Sequence, residues 1–313
     1  MKKNFVNNVH LEGYLYEHDL KEKVSGPSSK HPGTAFITGE ISIATDEDCL
    51  NIVKVHYTYV TETFSSGSVN RNFGILRDIM DGRIKNVMAD GKEEAQKISI
   101  DSSAIALNEF YPQNDPNRLV SNVRNEGGFI KFVNTLAEKE KDRNRFNVDM
   151  LITNAHRVEA DEERETPEKV VVKGAVFSFK KELLPVEFTV LNPAAMDYFE
   201  DLGASPSNPI FTKVWGIQQS TTIVRKIIEE SAFGEDSVRE TKSSYRDFVI
   251  TGAAKEPYEF DDESTLTAEE LKNMMAEREV HLATIKTNAE EYRKNTHATA
   301  TTPSTPATGG FTF

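Results

Sequence analysis

One order of strands and helix occurs twice in this chain, and the repetition restricts its fold more than any other feature. In residues 168–203, two runs of alternating apolar and polar residues are joined by a charged turn and followed by a helical segment. Asn192 can cap that helix, Pro193 suits its first turn, and Gly203 can end it. Residues 34–82 predict the same order of elements.

The repeat extends beyond these two stretches, to five strands with a helix after the third. In the first half we predict strands at 9–16, 34–45, 50–61, 98–110 and 128–133, a helix at 72–80, and a long loop at 18–33. In the second half we predict strands at 147–158, 170–177, 186–191, 210–223 and 245–251, a helix at 193–202, and an acidic loop at 159–168. The offset between the copies is roughly 135 residues, which favours two duplicated domains over a solenoid with repeats of about 20 to 50 residues.

Five short strands with a helix after the third match the OB-fold, a small Greek-key barrel. The predicted fold is therefore mainly β, with tandem OB-fold-like five-stranded barrels. A pair of unrelated small β-barrels or sandwiches is the alternative. We predict the first OB-like domain at residues 1–140 and the second at 145–258.

The remainder of the chain predicts a helical segment at 261–294 and a disordered tail at 295–313. Thr267 and Glu270 form a capping-box pattern, and apolar residues follow at helical spacing. The tail is rich in Thr, Ala, Pro and Gly and has too little apolar surface to fold. It carries two aromatic residues, Phe311 and Phe313, which we predict as a site for partner proteins.

Composition narrows the classes of function. The net charge is −13, so a polyanion would need a local basic groove. Cys49 is the single cysteine, no basic and apolar leader opens the sequence, and no run reaches the about 20 apolar residues of a membrane helix. We therefore expect a cytoplasmic protein without a membrane partner. The sequence does not predict the oligomeric state.

Motifs for catalysis are not found in the sequence. It has no Walker-type loop, dinucleotide fingerprint, nucleophile elbow or His-Glu-x-x-His pattern. The seven histidines are scattered and the acidic clusters suit solvated turns, so no metal or other cofactor is expected. A nuclease would need paired carboxylates, and no spacing supports them. We expect a binding protein and not an enzyme.

Aromatic and cationic side chains on strand faces that a barrel core does not need suggest single-stranded nucleic acid as the ligand. Such strands are bound by stacking bases on aromatic rings beside cations that contact the backbone. The candidates are Tyr14, Tyr16, Lys54, His56, Arg71, Arg77, Lys173, Phe177, Phe179, Lys213 and Trp215. The alternative for each aromatic is core or interface packing, and for each cation an ordinary solvated surface.

Several segments together resemble phage and bacterial single-stranded DNA-binding proteins. NNVHLEGYLYE resembles the opening strand of that family, and LNIVKVHYTYV its third strand, whose outward positions are here Ile52 and Lys54. FGILRDIMDG and AAMDYFEDLG resemble its short helix that ends in Gly. SAFGEDSV, DFVITGAAKEPYEFDDE and LTAEELKNMMAERE resemble the second domain and following helix of a larger phage-type form with two OB domains.

The resemblance implies binding of single-stranded DNA without sequence specificity during replication or recombination, with Ile52 added to the binding residues. It also implies contact of the C-terminal tail with replication or recombination proteins. The chain departs from the family at Ile52, where a Trp or Phe is common, and at Glu187 and Thr189, which are poor phosphate contacts. The alternative function is that of a structural or adaptor protein, such as a phage virion component.

Overall fold

Two five-stranded barrels with the same strand pairing make up most of the protein. The structure is a computed structural model that describes residues 4–27, 29–161, 166–229, 237–260 and 265–300. The elements of the first barrel are β1 (Asn7–His18), β2 (Lys21–Val24), β3 (Ala35–Ala44), β4 (Ile52–Thr61), α1 (Arg71–Met80), α2 (Val87–Asp90), β5 (Lys97–Phe110), β6 (Val120–Glu126) and β7 (Phe129–Phe132). A linker helix, α3 (Glu140–Arg143), leads to the second barrel.

In the first barrel, β1 pairs antiparallel with β3 and β5, β3 with β4, and β5 with β6. The parallel pairing of β4 with β6, between Val55 and Asn125, closes the barrel. Alternate residues of β1, among them Val9 and Leu11, are buried in the core. Gly13 is required where β1 crosses β3, because a Cβ there would lie 2.0 Å from the backbone oxygen of Ala44.

The second barrel repeats this pairing element by element. Its elements are β8 (Asn144–Val158), β9 (Lys169–Phe177), β10 (Leu183–Val190), α4 (Pro193–Asp201), β11 (Ile210–Glu229) and β12 (Ser237–Ala253). β8 pairs with β9 and β11, β9 with β10, β11 with β12, and β10 is parallel to β12. Asn192 caps α4 through its side chain, as predicted, and Met196 and Phe199 bury its inner face. The prediction of tandem OB-fold-like barrels is confirmed.

The first strands of the two barrels join them into one continuous sheet. β1 pairs antiparallel with β8 over five residue pairs, from Asn7 opposite Val148 to Leu11 opposite Asn144. The core is continuous across this junction, because buried residues of β1 and β8 belong to one apolar cluster.

A long C-terminal helix, α5 (Ala268–Ala300), packs against both barrels. The predicted capping box is present, with Glu270 N donating to Thr267 Oγ1 at 3.2 Å. Leu271 packs against Phe177 and other apolar residues of the second barrel, while Arg278 pairs with Glu109 of β5. The helix thus links the second barrel to the first.

Several predicted boundaries are wrong. The fifth strand of the first barrel is β6 and not residues 128–133, which form the short β7 paired with β5. The predicted loop at 18–33 contains β2. Both strands of the β11–β12 hairpin are longer than predicted, and α5 continues through residues 295–300 of the predicted tail. The sequence of β6, VSNVRNE, is polar and lacks apolar alternation, so periodicity could not reveal it.

Candidate nucleic-acid interface

A cleft of about 510 Å³ lies between the two barrels. One wall is the outer face of β3, β4, β5 and β6 in the first barrel, and the other is formed by β10, β11 and β12 of the second. The lining residues are Glu40, Ile52, Val53, Lys54, His56, Asn108, Asn122, Val123, Arg124, Asn125, Glu187, Gln218, Gln219, Ser220, Arg246, Asp247 and Phe248. We call this the interbarrel cleft.

Strand β4 supplies three of the residues predicted from sequence to this cleft. Ile52, Lys54 and His56 take the partly exposed positions of the strand, whereas Val53 and Val55 between them are buried. The alternation of a half-buried strand therefore points these three side chains out of the barrel and into the cleft. They are the part of the predicted set that the structure brings together.

Amide side chains fix the two walls to each other. Asn125 of β6 and Gln218 of β11 exchange two hydrogen bonds, of 2.8 and 3.0 Å. Asn51 receives a hydrogen bond from Ser220 N at 2.7 Å and donates to the Gln218 carbonyl at 3.1 Å. Within the second barrel, Asn144 of β8 accepts from Gln218 N at 3.2 Å and supports the same residue. The base of the β11–β12 hairpin is thus held against the first barrel.

Charges in the interbarrel cleft are balanced. Among its described lining residues, the cations Lys54, Arg124 and Arg246 occur with the carboxylates Glu40, Glu187 and Asp247. Lys54 Nζ lies 3.4 Å from Glu40, and both side chains are about one-third exposed. Exposed ion pairs are weak, typically below about 1 kcal/mol, so a phosphate can compete for such a cation.

The surroundings of His56 favour the neutral form of its imidazole. Burial lowers the pKa of its imidazole, and the charge of Arg124 lowers it further. Its Nδ1 is buried without a hydrogen-bond partner among the described residues, since Glu40 Oε1 is 3.9 Å away. The partly exposed ring can therefore offer a flat surface to a ligand, and its surroundings disfavour a positive charge.

The two predicted tyrosines of β1 lie outside the cleft. Tyr14 is buried, which corrects the prediction that it faces solvent. Its hydroxyl donates to Glu47 at 3.0 Å, and Lys92 Nζ lies 5.0 Å from its ring centroid. Tyr16 is half-buried and packs against the same apolar cluster, together with Leu136 of the linker, the segment 133–143 that connects β7 to β8 and contains α3. Helix α2 and the linker cover this part of the strand, and this packing was not visible in the sequence.

The predicted residues of β9 and its turn differ in environment. Phe177 is fully buried and stacks on Phe5 at 4.0 Å between ring centroids, so the prediction that it is available for bases is wrong. Phe179 is fully exposed in the β9–β10 turn. Lys173 is paired with Glu187 at 2.8 Å. The strand order alone could not show that Phe177 packs beneath the N-terminal segment.

The predicted arginines of α1 are also separate from the cleft. Arg71 is exposed at the start of the helix. Arg77 pairs with Glu22 of β2 at 2.7 Å and lies over the ring of Phe73, 4.6 Å from its centroid. These contacts fasten β2 to the helix, so Arg77 has a structural partner that the sequence prediction did not include.

The remaining predicted residues lie on β11 or in the tail. Lys213 and Trp215 are on the outer face of β11, where Trp215 lines a second, smaller groove. Phe311 and Phe313 lie outside the residues that the structure describes.

Sequence reasoning missed several residues near or in the cleft. Arg124 and Asn125 were missed because β6 was not predicted. Arg246 lies in a predicted strand, at 245–251, but was not predicted as a site residue. Alternation along β4 would place Tyr59 in the core with Tyr57, but Tyr59 is exposed and packs on Phe36, with 4.5 Å between ring centroids. An irregularity in the β3–β4 pairing, where three steps on β4 oppose two on β3, reverses the side-chain alternation there.

The described residues contain neither a membrane-spanning helix nor a cluster of metal ligands. Within the ranges described above, no helix is long and apolar enough to cross a membrane. Among the same residues, no group of three or more His, Cys, Asp or Glu side chains is placed to hold a metal ion.

Comparisons with known proteins identify a family. The chain resembles, at a TM-score of 0.46 and 12% identity, the crystal structure of a deletion mutant of the single-stranded DNA binding protein from Thermus aquaticus, over 83% of this chain and 99% of that one. A comparison with curated proteins gave no match. The YorF family model matches residues 6–288, which is most of the chain. The protein therefore belongs to the YorF family.

Proposed function

We propose that this protein binds single-stranded DNA without sequence specificity, through the interbarrel cleft, and performs no covalent step. The observation that carries the proposal is the position of the cleft. OB-folds bind oligonucleotides on the face of their second and third strands and with the loop between strands four and five. Here the second and third strands of the first barrel, β3 and β4, face residues 218–220 of β11 and 246–248 of β12, the fourth and fifth strands of the second barrel.

The chemistry of the cleft walls suits a strand of variable sequence. Lys54, Arg124 and Arg246 can contact phosphates, and the rings of His56 and Phe248 can pack against bases. The amides of Asn108 and Asn122 can donate to or accept from any base edge. None of these contacts requires one particular base, so the binding is sequence-tolerant.

The proposed setting is DNA replication or recombination in the cytoplasm, in a bacterial host if the chain is phage-encoded. The tail residues Phe311 and Phe313 would then contact other proteins of that process. Removal of residues 301–313 would test this: it would leave affinity for DNA unchanged and abolish co-purification with such a partner.

The decisive experiment is a titration of fluorescently labelled oligo-dT, followed by anisotropy, over a series of salt concentrations. The test variant is Lys54→Ala/Arg124→Ala/Arg246→Ala. The control is Arg83→Ala/Lys85→Ala/Lys272→Ala, which removes three exposed positive charges elsewhere. Each phosphate contact contributes about 0.7 to the log-log salt slope of single-strand binding, so the test variant should lower its magnitude by about 2.

A control variant that binds like the wild type, beside a test variant that binds weakly, supports the cleft. Equal losses in both variants would show that the cleft has no special role. No binding by the wild type at 50 mM salt would reject the proposed function.

The second candidate is a structural or adaptor protein that acts through protein contacts. The acidic net charge of −13 and the balance of charges in the cleft favour it. It predicts that the wild-type protein occurs stably in purified particles and has no affinity for single strands.

A further inference from the structure

A second groove, of about 320 Å³, lies on the outer face of the sheet where the two barrels join. It is lined by Asn8 and His10 of β1, Arg145, Phe146 and Asn147 of β8, and Trp215 of β11. We call it the junction groove. It shares no lining residue with the interbarrel cleft, and its volume is at the lower end of the about 300–1,000 Å³ typical of small-molecule sites.

Trp215 forms one side of the junction groove. It lies opposite Asn147 of β8 and opposite Gly252 of β12. A Cβ at position 252 would be 2.4 Å from the indole Nε1, so the absence of a side chain at Gly252 lets the indole lie close against β12. The side chain is nevertheless 41% exposed. The indole is thus supported from below and available to a ligand from the groove.

Arg145 supplies a positive charge beside the indole. It lies opposite His10 in the β1–β8 pairing, and its side chain is 58% exposed. Within the described residues its recorded ion pair is with Asp142, at the long distance of 3.7 Å and with both groups exposed. Such a pair holds the guanidinium weakly. His10, in contrast, is fixed by Asp101 at 2.7 Å.

The polarity of the junction groove differs from that of the protein as a whole. Its described lining residues include no carboxylate, although the chain has a net charge of −13. The amide of Asn147 has a buried Oδ1 without a hydrogen-bond partner among the described residues. A donor that reached this oxygen would restore a hydrogen bond. The groove therefore suits a ligand with a flat ring, a hydrogen-bonding edge and a negative group.

We infer that the junction groove binds one nucleotide of a DNA single strand. The base stacks on Trp215, its edge bonds to the amide of Asn147, and the adjacent phosphate pairs with Arg145. This inference rests on the proposed function and extends it, because it gives the strand a second contact away from the interbarrel cleft. A stacked base and a charge-assisted phosphate contact are the two elements of sequence-independent single-strand binding.

Trp215 is the single tryptophan of the chain, so its fluorescence reports on this groove directly. In one titration with labelled oligo-dT, anisotropy of the label measures binding anywhere on the protein, and Trp215 emission measures contact at the groove. We expect Trp215 quenching to saturate together with the anisotropy. Arg145→Ala, which keeps the indole, should reduce both the quenching and the affinity.

Trp215→Leu should weaken binding by about 5- to 150-fold, the equivalent of one lost base–aromatic stack. Phe64→Leu is the matched control, because Phe64 is 46% exposed and lines neither groove. Circular dichroism checks that each variant is folded. If Trp215→Leu does not fold, Arg145→Ala alone tests the groove. A rise in anisotropy with unchanged Trp215 emission and an unchanged affinity of the variants would reject the junction groove but keep the proposed function. No rise in anisotropy would reject both.

Discussion

Asn125 of the first barrel and Gln218 of the second exchange two hydrogen bonds between their side-chain amides, at 2.8 and 3.0 Å. Both side chains are buried. The pair joins β6, the fifth strand of the first barrel, to β11, the fourth strand of the second, and both residues line the interbarrel cleft. The relative position of the two cleft walls therefore depends on a contact between two uncharged residues.

Gln218→Ala should lower the free energy of unfolding by about 1–3 kcal/mol, because it leaves the buried Oδ1 of Asn125 without a donor, although Asn125 Nδ2 still donates to the Lys54 carbonyl. Urea denaturation measures this loss, and hydrogen exchange should show faster opening around residue 218, in the middle of β11. The neighbouring Gln219 is exposed, so Gln219→Ala is the control and should have little effect. Equal effects of the two substitutions would contradict the structural role of the pair.

Glu47 should make the free energy of unfolding depend on pH. Hydrogen bonds from Lys92, then Arg143 and Tyr14, lower the pKa of its carboxyl to about 2. An unfolded glutamate titrates near about 4.3, so the stabilisation is complete above that pH and is lost as the pH falls toward 2. Glu47 is half exposed, so solvent screening reduces the effect.

Urea denaturation of the wild type and of Glu47→Gln at pH 5.5 and at pH 3 tests this dependence. The gap in stability between the two proteins should shrink at the lower pH. Glu138→Gln, at an exposed position of the linker, controls for the general effect of removing a negative charge. A gap that stays constant with pH would contradict the assignment.

The ion pair between Arg278 and Glu109 should anchor α5 to the first barrel. The two side chains are only 14% and 4% exposed, and Arg278 Nη1 donates to Glu109 Oε2 at 2.6 Å. Arg278→Ala leaves a buried carboxylate unpaired, which costs about 3–5 kcal/mol. Thermal unfolding measures the loss, with Lys286→Ala on the exposed surface of the helix as the control. If Arg278→Leu/Glu109→Leu were as unstable as Arg278→Ala, the unpaired charge would not be the cause.

Truncation of Phe177 and of Phe179, two residues apart, should have very different effects on stability. Phe177→Ala removes a buried ring stacked on Phe5 and should cost about 3–5 kcal/mol of stability. Phe179→Ala removes a fully exposed ring and should leave stability within about 0.5 kcal/mol of the wild type. Denaturant midpoints of the two variants check this contrast, and a large loss for Phe179→Ala would contradict the placement of its side chain.

The sequence predicts best those elements whose signals are local. The helix α4 is set by Asn192 and Pro193, and the outward positions of β4 follow from simple alternation around Val53 and Val55. For this reason the outward positions of Lys54 and His56 could be predicted from the alternation, whereas Ile52 was added through the family resemblance.

Features that depend on distant parts of the chain could not be predicted in this way. Tyr14 satisfies the alternation of an outward residue, but α2 and the linker cover it. Tyr59 is turned outward by an irregular pairing with β3, which no period-two pattern contains. Arg124 lies on β6, whose residues are mainly polar. This strand closes the barrel by backbone pairing with β4, which leaves no apolar pattern in the sequence. The contribution of β6 to the cleft and the position of the opposite wall therefore could not be predicted from the sequence.

The pairing of β1 with β8 joins equivalent first strands in antiparallel orientation, with Asn8 opposite Asn147. This is the self-complementary contact that two identical single-barrel subunits would make across a twofold axis. Covalent linkage through α3 makes the contact intramolecular, so it does not depend on protein concentration. It also allows the two halves to differ: one half has Lys54 in its third strand, the other has Glu187, and a symmetric dimer could not divide its surfaces in that way.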